Sequence, residues 1–335
     1  MKTGDISQIY DKRAKKNFIP KNSAANQLRV YQEAHNNMSA WTIGDIMAID
    51  TVTNVERVTI TERGPVRACI ETVKHYNRSK FIQRTYIYRN YPRIDFDLEA
   101  HWFEQGTPQT GVPLLRAVFP LDIPHATFTN HVAFAAVERP VNGQEVPAHK
   151  WVDLSDGKTG MALLNNSKYG HSVKDGELRL TLLRSSYYPD LYPNQGLFRI
   201  RYALYPHAGD WKNGVWSQGE DINVPVMAVE PPSFALDKPQ AKLPLEHSFI
   251  SIEPSEIILT GVKQSEEGER LVLRIVEVEG KESSAMIKVD QKIKGVSKLD
   301  LLERPVESGN QSAVKGNTIE IKLKPYEIVT LGVEF

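Results

Sequence analysis

The sequence predicts an all-β protein built from packed antiparallel sheets, and three observations lead to that prediction. Apolar residues alternate with polar ones in many short runs, turn-forming residues separate these runs, and no long segment follows the helical period. The clearest run has apolar residues at every second position: Ile94, Phe96, Leu98, Ala100 and Trp102. Because successive side chains of a strand point to opposite faces, this segment is predicted to be a strand with one buried face.

Similar alternation predicts further strands before residue 210, and turn sequences lie between them. The other period-two runs are Val58/Ile60, Leu178/Leu180/Leu182 and Phe198/Ile200/Tyr202/Leu204. The turn signals include Arg63-Gly64-Pro65, Asn90-Tyr91-Pro92, Asp156-Gly157 and Asp175-Gly176.

A proline-rich segment divides the chain. Residues 229–249 contain four prolines and little periodicity, which is typical of a linker or strap. We therefore predict a large β domain over residues 1–234 and a small β-sandwich over residues 235–335. Strands of the second domain are expected at 271–278, 285–289, 318–323 and 328–335.

Composition excludes several classes of partner. Among 335 residues, 41 Lys and Arg balance 41 Asp and Glu, so no global field attracts nucleic acid or an anionic membrane. The N-terminus has no apolar signal segment, and no apolar run is long enough to span a bilayer. The single cysteine, Cys69, excludes an internal disulfide and favours a reducing, cytoplasmic location. We interpret Cys69 as a small strand residue in the run Val66, Ala68, Ile70 and not as a catalytic thiol.

Common catalytic motifs are missing from the sequence. It contains no Gly-x-Ser-x-Gly, no P-loop and no Gly-x-Gly-x-x-Gly, which argues against a serine hydrolase, an NTPase and a dinucleotide enzyme. Its nine histidines include no His-Glu-x-x-His pair, so we expect no metal site in this chain. Only His101, which shares a strand face with acidic residues, is worth inspecting as a ligand.

The acidic row Asp95, Asp97 and Glu99 is the first candidate site. On a strand these carboxylates share one face at spacings of roughly 7 Å, so two of them could flank a glycosidic bond as acid and base. The alternative, which we favour, is a solvated sheet face.

The segment 165–171, NNSKYGH, is the second candidate. Its donors, flat ring and glycine are suited to holding an array of sugar hydroxyls: Asn165, Lys168, Tyr169, Gly170 and His171. The alternative is a hairpin turn after the apolar run 161–164, and residue chemistry alone leaves both interpretations open.

The segment 206–211 is the third candidate. We predict that it forms the turn that ends the strand 198–204, because Pro206 disfavours a continuing central strand and Asp210 favours an Asx-type turn. Trp211 is then expected to cover the end of the sheet. His207 and Asp210 are the fallback site residues if this turn lines a cleft.

Several blocks together resemble a known family. The segments KWVDLS (150–155), LLNNSKYGHSVKDGELRLTLLRS (163–185) and FRIRYALYPHAGDW (198–211) resemble the C-terminal β region of glycoside hydrolase family 38 α-mannosidases, most of all the bacterial and cytosolic branch. The segments TGDISQIYDKRAKKNFI (3–19) and KLKPYEIVTLGVEF (322–335) extend the resemblance to both ends. It implies a large antiparallel supersandwich, galactose mutarotase-like in architecture, followed by a small β-sandwich.

The resemblance also implies which domain of the family carries the catalytic groups. Members are retaining, zinc-dependent, exo-acting α-mannosidases whose nucleophile and zinc ligands lie in an N-terminal α/β domain, followed by a three-helix bundle. No residue of this chain matches those groups, so no catalytic residue, metal ligand or cofactor is assigned here. A loop of the family's β region reaches the catalytic cleft, and Asn165, Lys168, Tyr169 and His171 are its best match, with Lys168 and Tyr169 nearest the substrate.

Three functions follow as hypotheses. In the first, the chain is the β-sandwich portion of an α-mannosidase: it packs on the missing catalytic domain and helical bundle, lends a loop to the site of an α-mannoside, and is inactive alone. Such a chain should expose an apolar patch, which could also drive self-association. In the second, it is an independent carbohydrate-binding module. In the third, a mutarotase-like sugar epimerase, His101 with Glu99 or Glu104 would supply the acid and base.

Overall fold

The computed structural model describes residues 3–191, 194–230, 244–306 and 312–335. The chain divides into two compact units, the first with residues 1–131 and 137–225 and the second with residues 132–136 and 226–335. The boundary predicted between residues 234 and 235 lies outside the described residues, so that division stays a prediction. Among the helical residues described, none forms a helix long and apolar enough to cross a bilayer.

Antiparallel strands make up most of the first 210 residues. In chain order they are β1 (Tyr10–Asp11), β2 (Lys16–Asn17), β3 (Gln27–Glu33), β4 (Ile46–Thr51), β5 (Asn54–Arg63), β6 (Arg67–Tyr76), β7 (Ser79–Tyr88), β8 (Tyr91–Trp102), β9 (Val112–Pro120), β10 (Thr127–Val132), β11 (Ala135–Arg139), β12 (Val146–Pro147), β13 (Trp151–Ser155), β14 (Thr159–Asn165), β15 (Gly170–Lys174), β16 (Glu177–Arg184) and β17 (Gly196–Ala208). Nine of them form a major sheet in the order β11-β10-β13-β14-β17-β8-β7-β6-β5, and six form a minor sheet in the order β12-β15-β16-β9-β3-β4. Strands β1 and β2 form a two-stranded sheet of their own among the described strands.

The two sheets pack face to face around one apolar core. Strand β8 contributes Phe96 and Trp102, both fully buried, and Phe96 lies 6.0 Å from Phe119 of β9 between ring centroids. All residues of β9 are buried, because both of its faces are covered. The alternation predicted for 94–102 is therefore confirmed, as are the all-β class and the large antiparallel supersandwich.

One end of the major sheet leaves its apolar inner face uncovered. The register sets Ile60 of β5 opposite Ile70 of β6, and Ala68 opposite Ile87 of β7, on the face that buries Phe81. Ile60, Ile70 and Ile87 are nevertheless 46%, 40% and 54% exposed. The minor sheet has fewer strands and leaves this end uncovered. We call Val58, Ile60, Ala68, Ile70 and Ile87 the open apolar face.

In the strand that contains Cys69, the apolar residues of the alternating run are exposed and Cys69 itself is buried. Cys69 is 1% exposed and lies on the outer face of the major sheet, whereas Val66 and Ile70 are exposed. Alternation alone identifies a strand but cannot say which of its two faces another layer covers.

Strand β17 continues past the predicted turn. It includes Pro206 and His207, so the prediction that Pro206 ends the strand is wrong. The physical reason is that β8 pairs with β17 only as far as Leu204, while β14 accompanies it to Ala208. Beyond Leu204 one side of β17 is an edge, where a residue without an N–H group is tolerated.

A short helix, α1 (Val215–Asn223), packs on the outer face of the major sheet. Trp151 of β13 is fully buried there, stacked on Trp211 at 5.4 Å and 5.9 Å from the ring of Trp216. A Cβ atom at Gly219 would lie 2.6 Å from Trp151 Cδ1, so glycine permits the close approach of the helix. The sequence pattern did not predict α1, since nine residues are too few to display a helical period.

The second unit is a small β-sandwich. Its strands are β18 (Ile250–Glu253), β19 (Ile257–Gln264), β20 (Leu271–Glu277), β21 (Ser283–Val289), β22 (Gly295–Leu299), β23 (Ala313–Lys315), β24 (Thr318–Leu323) and β25 (Ile328–Glu334). They form two sheets of four strands, in the orders β18-β21-β24-β23 and β19-β20-β25-β22. Alternate residues of β21 are buried in a core of their own, which confirms the predicted sandwich.

Candidate functional site

The 165–171 loop connects β14 of the major sheet to β15 of the minor sheet. The side chain of Asn165 organises it: Oδ1 accepts hydrogen bonds from the N–H groups of Ser167 at 3.1 Å and Lys168 at 2.7 Å, and Nδ2 donates to the His149 carbonyl at 3.0 Å. Asn223, the last residue of α1, donates to the Asn165 carbonyl at 3.0 Å. These bonds give the loop a fixed shape.

Of the four loop residues predicted to contact a substrate, two have side chains that are available to a ligand. Tyr169 is 59% exposed, and its ring lies 6.1 Å from that of His149. Lys168 is half-buried, and this burial lowers the pKa of its ammonium group. A cavity of about 380 Å³ opens beside Tyr169; its lining is Pro147, His149, Lys150, Asn166, Tyr169 and Asn223.

The other two predicted loop residues lie behind this surface. Asn165 and His171 have no exposed area. His171 points into the sandwich, where Nδ1 is 3.2 Å from the Tyr169 carbonyl and Nε2 has no partner among the described residues. Burial lowers the pKa of His171 to about 4. Both residues hold the loop from inside, and contact with a substrate stays a prediction for Lys168 and Tyr169 only.

The fallback residues His207 and Asp210 do not form a pair. His207 is buried, and its Nε2 lies 2.7 Å from Oδ1 of Asp153 on β13. The ring reaches across β14 at Gly160, where a Cβ atom would lie 2.3 Å from His207 Cε1. Asp210 is exposed and accepts a hydrogen bond from the Lys212 N–H at 3.0 Å, as an Asx turn does. Sequence reasoning missed Asp153, because only the order of the strands brings it to His207.

The acidic row lies on the outer face of β8, and each carboxylate lies within 4 Å of an arginine, which for Glu99 is Arg199 at 3.7 Å. Asp95 pairs with Arg93 at 2.6 Å and Asp97 with Arg201 at 2.7 Å. Glu99 lies 3.2 Å from Nε2 of His101. These contacts fit the solvated sheet face favoured above, because a carboxylate held by a guanidinium is a poor general acid.

Of Glu99 and Glu104, the two residues that could act with His101 as acid and base, Glu99 lies beside the histidine. Glu104 instead accepts hydrogen bonds from Ser79 at 2.7 Å and Asn77 at 3.0 Å. Among the described ranges, no three His, Cys, Asp or Glu side chains come close enough together to hold a metal ion.

Comparison with known proteins identifies relatives of both parts of the chain. The family model "Glycosyl hydrolases family 38 C-terminal domain" matches residues 1–192, and "Glycosyl hydrolases family 38 C-terminal beta sandwich domain" matches residues 256–331. Human alpha-mannosidase 2C1 is 31% identical over 72% of this chain, which corresponds to 23% of that protein. Alpha-mannosidase G of Dictyostelium discoideum is 29% identical over 98% of this chain and 31% of its own length.

A solved structure shares the fold. A glycosyl hydrolase family 38 protein from Enterococcus faecalis has a TM-score of 0.78 and 17% identity, covering 98% of this chain and 42% of its own. The chain thus spans less than a third of the curated relatives and less than half of the solved one.

Proposed function

Because the chain belongs to glycoside hydrolase family 38, we propose that it is the C-terminal β portion of an α-mannosidase that is inactive without the rest of the enzyme. The observation that carries the proposal is the match of both units to C-terminal domain models, while the relatives are more than three times longer. The nucleophile and the zinc ion then belong to the part of the enzyme outside this sequence. The single buried cysteine, Cys69, supports a reducing, cytoplasmic location.

The 165–171 loop is the part of this chain that we propose to contact the α-mannoside. Tyr169 offers a half-exposed ring on which the apolar face of a sugar can stack, and the neighbouring cavity has room for hydroxyl groups beside amide and imidazole side chains. Asn165 holds the loop in shape before a ligand arrives, so little entropy is lost on binding.

The purified chain is expected not to hydrolyse an aryl α-mannoside, with zinc added or with a chelator present. The physical reason is that the carboxylates of the acidic row are bound to arginine or histidine, which makes them poor general acids. Release of the aryl group, followed by absorbance at high protein concentration, is the measurement. Turnover that the chelator abolishes would show a metal site in this chain and overturn the proposal.

The open apolar face is proposed as the surface that docks the rest of the enzyme. Soluble monomers rarely expose contiguous apolar patches, and interfaces between domains of one chain bury roughly 600–1,500 Å². Here Ile60, Ile70 and Ile87 lie side by side on one sheet face with β5 at its edge. The partner is therefore expected to be an apolar surface of the catalytic portion.

Without that partner, the chain is expected to self-associate reversibly through the open apolar face. The double substitution Ile70→Lys and Ile87→Lys should abolish concentration-dependent sedimentation, because two ammonium groups would have to be desolvated in the contact. Val314→Lys, at an apolar residue of the second unit that is 40% exposed, is the matched control. A chain that sediments identically with and without the double substitution would rule out this face as the docking surface.

A further inference from the structure

A second cavity lies next to the one beside Tyr169. Its volume is about 430 Å³, and its lining is Arg84, Asp97, Leu98, Glu99, Asn166, Arg199, Ile200 and Arg201. Asn166 lines both cavities, so the two lie next to each other, and the larger one is on the outer face of the major sheet. We call the two cavities together the Asn166 groove, with Tyr169 at one end and Arg84 at the other.

One residue from each of four neighbouring chain segments crosses the floor of the groove. Arg201 of β17 is paired with Asp97 of β8, and Asp97 with Arg84 of β7. The Asn166 N–H, just past the end of β14, donates to the Arg201 carbonyl at 3.4 Å. Strands lie about 4.8 Å apart, so this row is about 14 Å long. Because paired residues share a sheet face, the side chains of Arg201, Asp97 and Arg84 lie on one face. Their charges alternate from strand to strand.

Arg201 and Asp97 in this row have hydrogen-bonding positions left for a ligand. Arg201 binds Asp97 through two bonds of 2.7 and 3.1 Å, yet its side chain is 49% exposed and that of Asp97 31%. A guanidinium has five N–H donors and a carboxylate about four acceptor positions, so each retains free positions toward solvent. Neighbouring donors and acceptors of this kind suit the vicinal hydroxyl groups of a sugar, whose hydroxyls both donate and accept.

The positive and negative charges that line the groove nearly cancel, which favours an uncharged ligand. Three arginines and two carboxylates line the larger cavity, and Arg84 is also bound at 2.9 Å by Glu71, which Arg57 shares at 2.8 Å. At most about one positive charge of the lining is left without a carboxylate, so a polyanion such as nucleic acid gains little. The exposed ring of Tyr169 at the other end adds the flat apolar surface that sugar rings use.

We propose that the Asn166 groove binds the part of an α-mannose oligosaccharide that lies beyond the sugar residue being cleaved. This inference rests on the proposed function, because the 165–171 loop sets the end of the groove at Tyr169 next to the catalytic portion. The groove is then an extended saccharide site carried by the β region, and it favours oligosaccharides over short glycosides.

The test is isothermal titration of this chain with α-linked mannose oligosaccharides of increasing length. The affinity is expected to rise from the disaccharide to the tetrasaccharide. Arg201→Gln should weaken binding of the tetrasaccharide about tenfold, the effect of one charge-assisted hydrogen bond, and change disaccharide binding little, whereas Asn166→Ala should weaken both, because Asn166 lines both cavities. Arg67→Gln is the matched control: Arg67 also forms an exposed pair, with Glu62 at 2.6 Å, but lies outside the groove. Melting temperatures of all variants show that they fold.

The variants separate failure of the groove from failure of the proposed function. One possible outcome is that Tyr169→Ala weakens binding of every mannoside while Arg201→Gln binds the tetrasaccharide as well as Arg67→Gln does. The loop then keeps its proposed role, and the groove is excluded as a saccharide site. Equal affinity for all lengths, or no binding of the tetrasaccharide, also overturns the groove and leaves the hydrolysis and sedimentation results unaffected. Equal affinity for α-linked glucose oligosaccharides overturns the assignment to mannosides.

Discussion

Acidification from pH 7 to pH 5 is expected to lower the free energy of unfolding of the first unit by about 3–4 kcal/mol, through two buried histidines. Burial, with smaller contributions from Lys150 and His149, lowers the pKa of His131 from 6.5 to about 3. Burial also lowers the pKa of His171 to about 4.

The lowered pKa values of these histidines explain why acidification reduces the free energy of unfolding. In the unfolded chain both bind protons below their ordinary pKa of 6.5, whereas in the folded chain both stay neutral down to about 3 and 4. The unfolded state therefore binds more protons below pH 6.5, and stability falls as the pH drops through that range toward the folded pKa values. Two histidines at about 1.4 kcal/mol per pH unit each give the expected size.

The hydrogen bonds of the two rings agree with neutral forms. Nδ1 of His131 accepts the Lys150 N–H at 3.1 Å, a bond that protonation of Nδ1 would destroy. In His171, Nδ1 faces the Tyr169 carbonyl, so the second proton would have to enter at the buried Nε2, which has no partner in the described part of the chain. An uncompensated charge at either position is expensive.

Urea unfolding at pH 7 and pH 5, followed by tryptophan fluorescence, measures the effect. All five tryptophans lie before residue 217, so the signal reports on the first unit alone. His131→Asn and His171→Asn retain an acceptor or a donor near the Nδ1 position, and each should remove about half of the pH-dependent loss. His101→Asn, at a partly exposed histidine on the outer face of β8, is the matched control. A wild-type stability equal at the two pH values would contradict the prediction, and so would variants with the wild-type loss.

Replacement of Arg184 by methionine is expected to destabilise the first unit by about 3–5 kcal/mol, because it leaves a buried carboxylate without its partner. Glu33 has no exposed side-chain area, and its two oxygens accept bonds of 2.7 and 2.8 Å from Arg184. Arg184 also donates to the carbonyls of Ser39 and Thr42, and Glu33 accepts the Gly44 N–H at 2.9 Å. The pair therefore fixes the segment that follows β3.

A double substitution separates loss of the pair from loss of packing. Glu33→Gln with Arg184→Met should cost less than Arg184→Met alone, because no charge is left buried. Arg67→Met is the surface control: its pair with Glu62 is exposed on both sides and contributes at most about 1 kcal/mol. Urea unfolding gives all four stabilities, and an Arg184→Met variant as stable as Arg67→Met would refute the prediction.

Local patterns in the sequence are sufficient for the all-β class, many of the strands and the family. Period-two alternation is a local property, so the strands at 94–102, 178–182 and 271–277 can be recognised without knowledge of their neighbours. Blocks such as 163–185 carry the resemblance to the family in their residues alone, and the family models confirm it. The predicted sugar loop also forms a loop, since Asn165 caps it through local hydrogen bonds.

The coverage of each sheet face and the meeting of distant groups depend instead on tertiary contacts. Ile70 and Phe96 belong to equally good alternations, yet one is exposed and the other buried, because the minor sheet covers only part of the major one. The approach of His207 to Asp153 depends on strand order and on the missing side chain of Gly160. Pro206 is tolerated because β8 has already ended beside it. Each outcome depends on contacts between segments far apart in sequence, which local patterns do not encode.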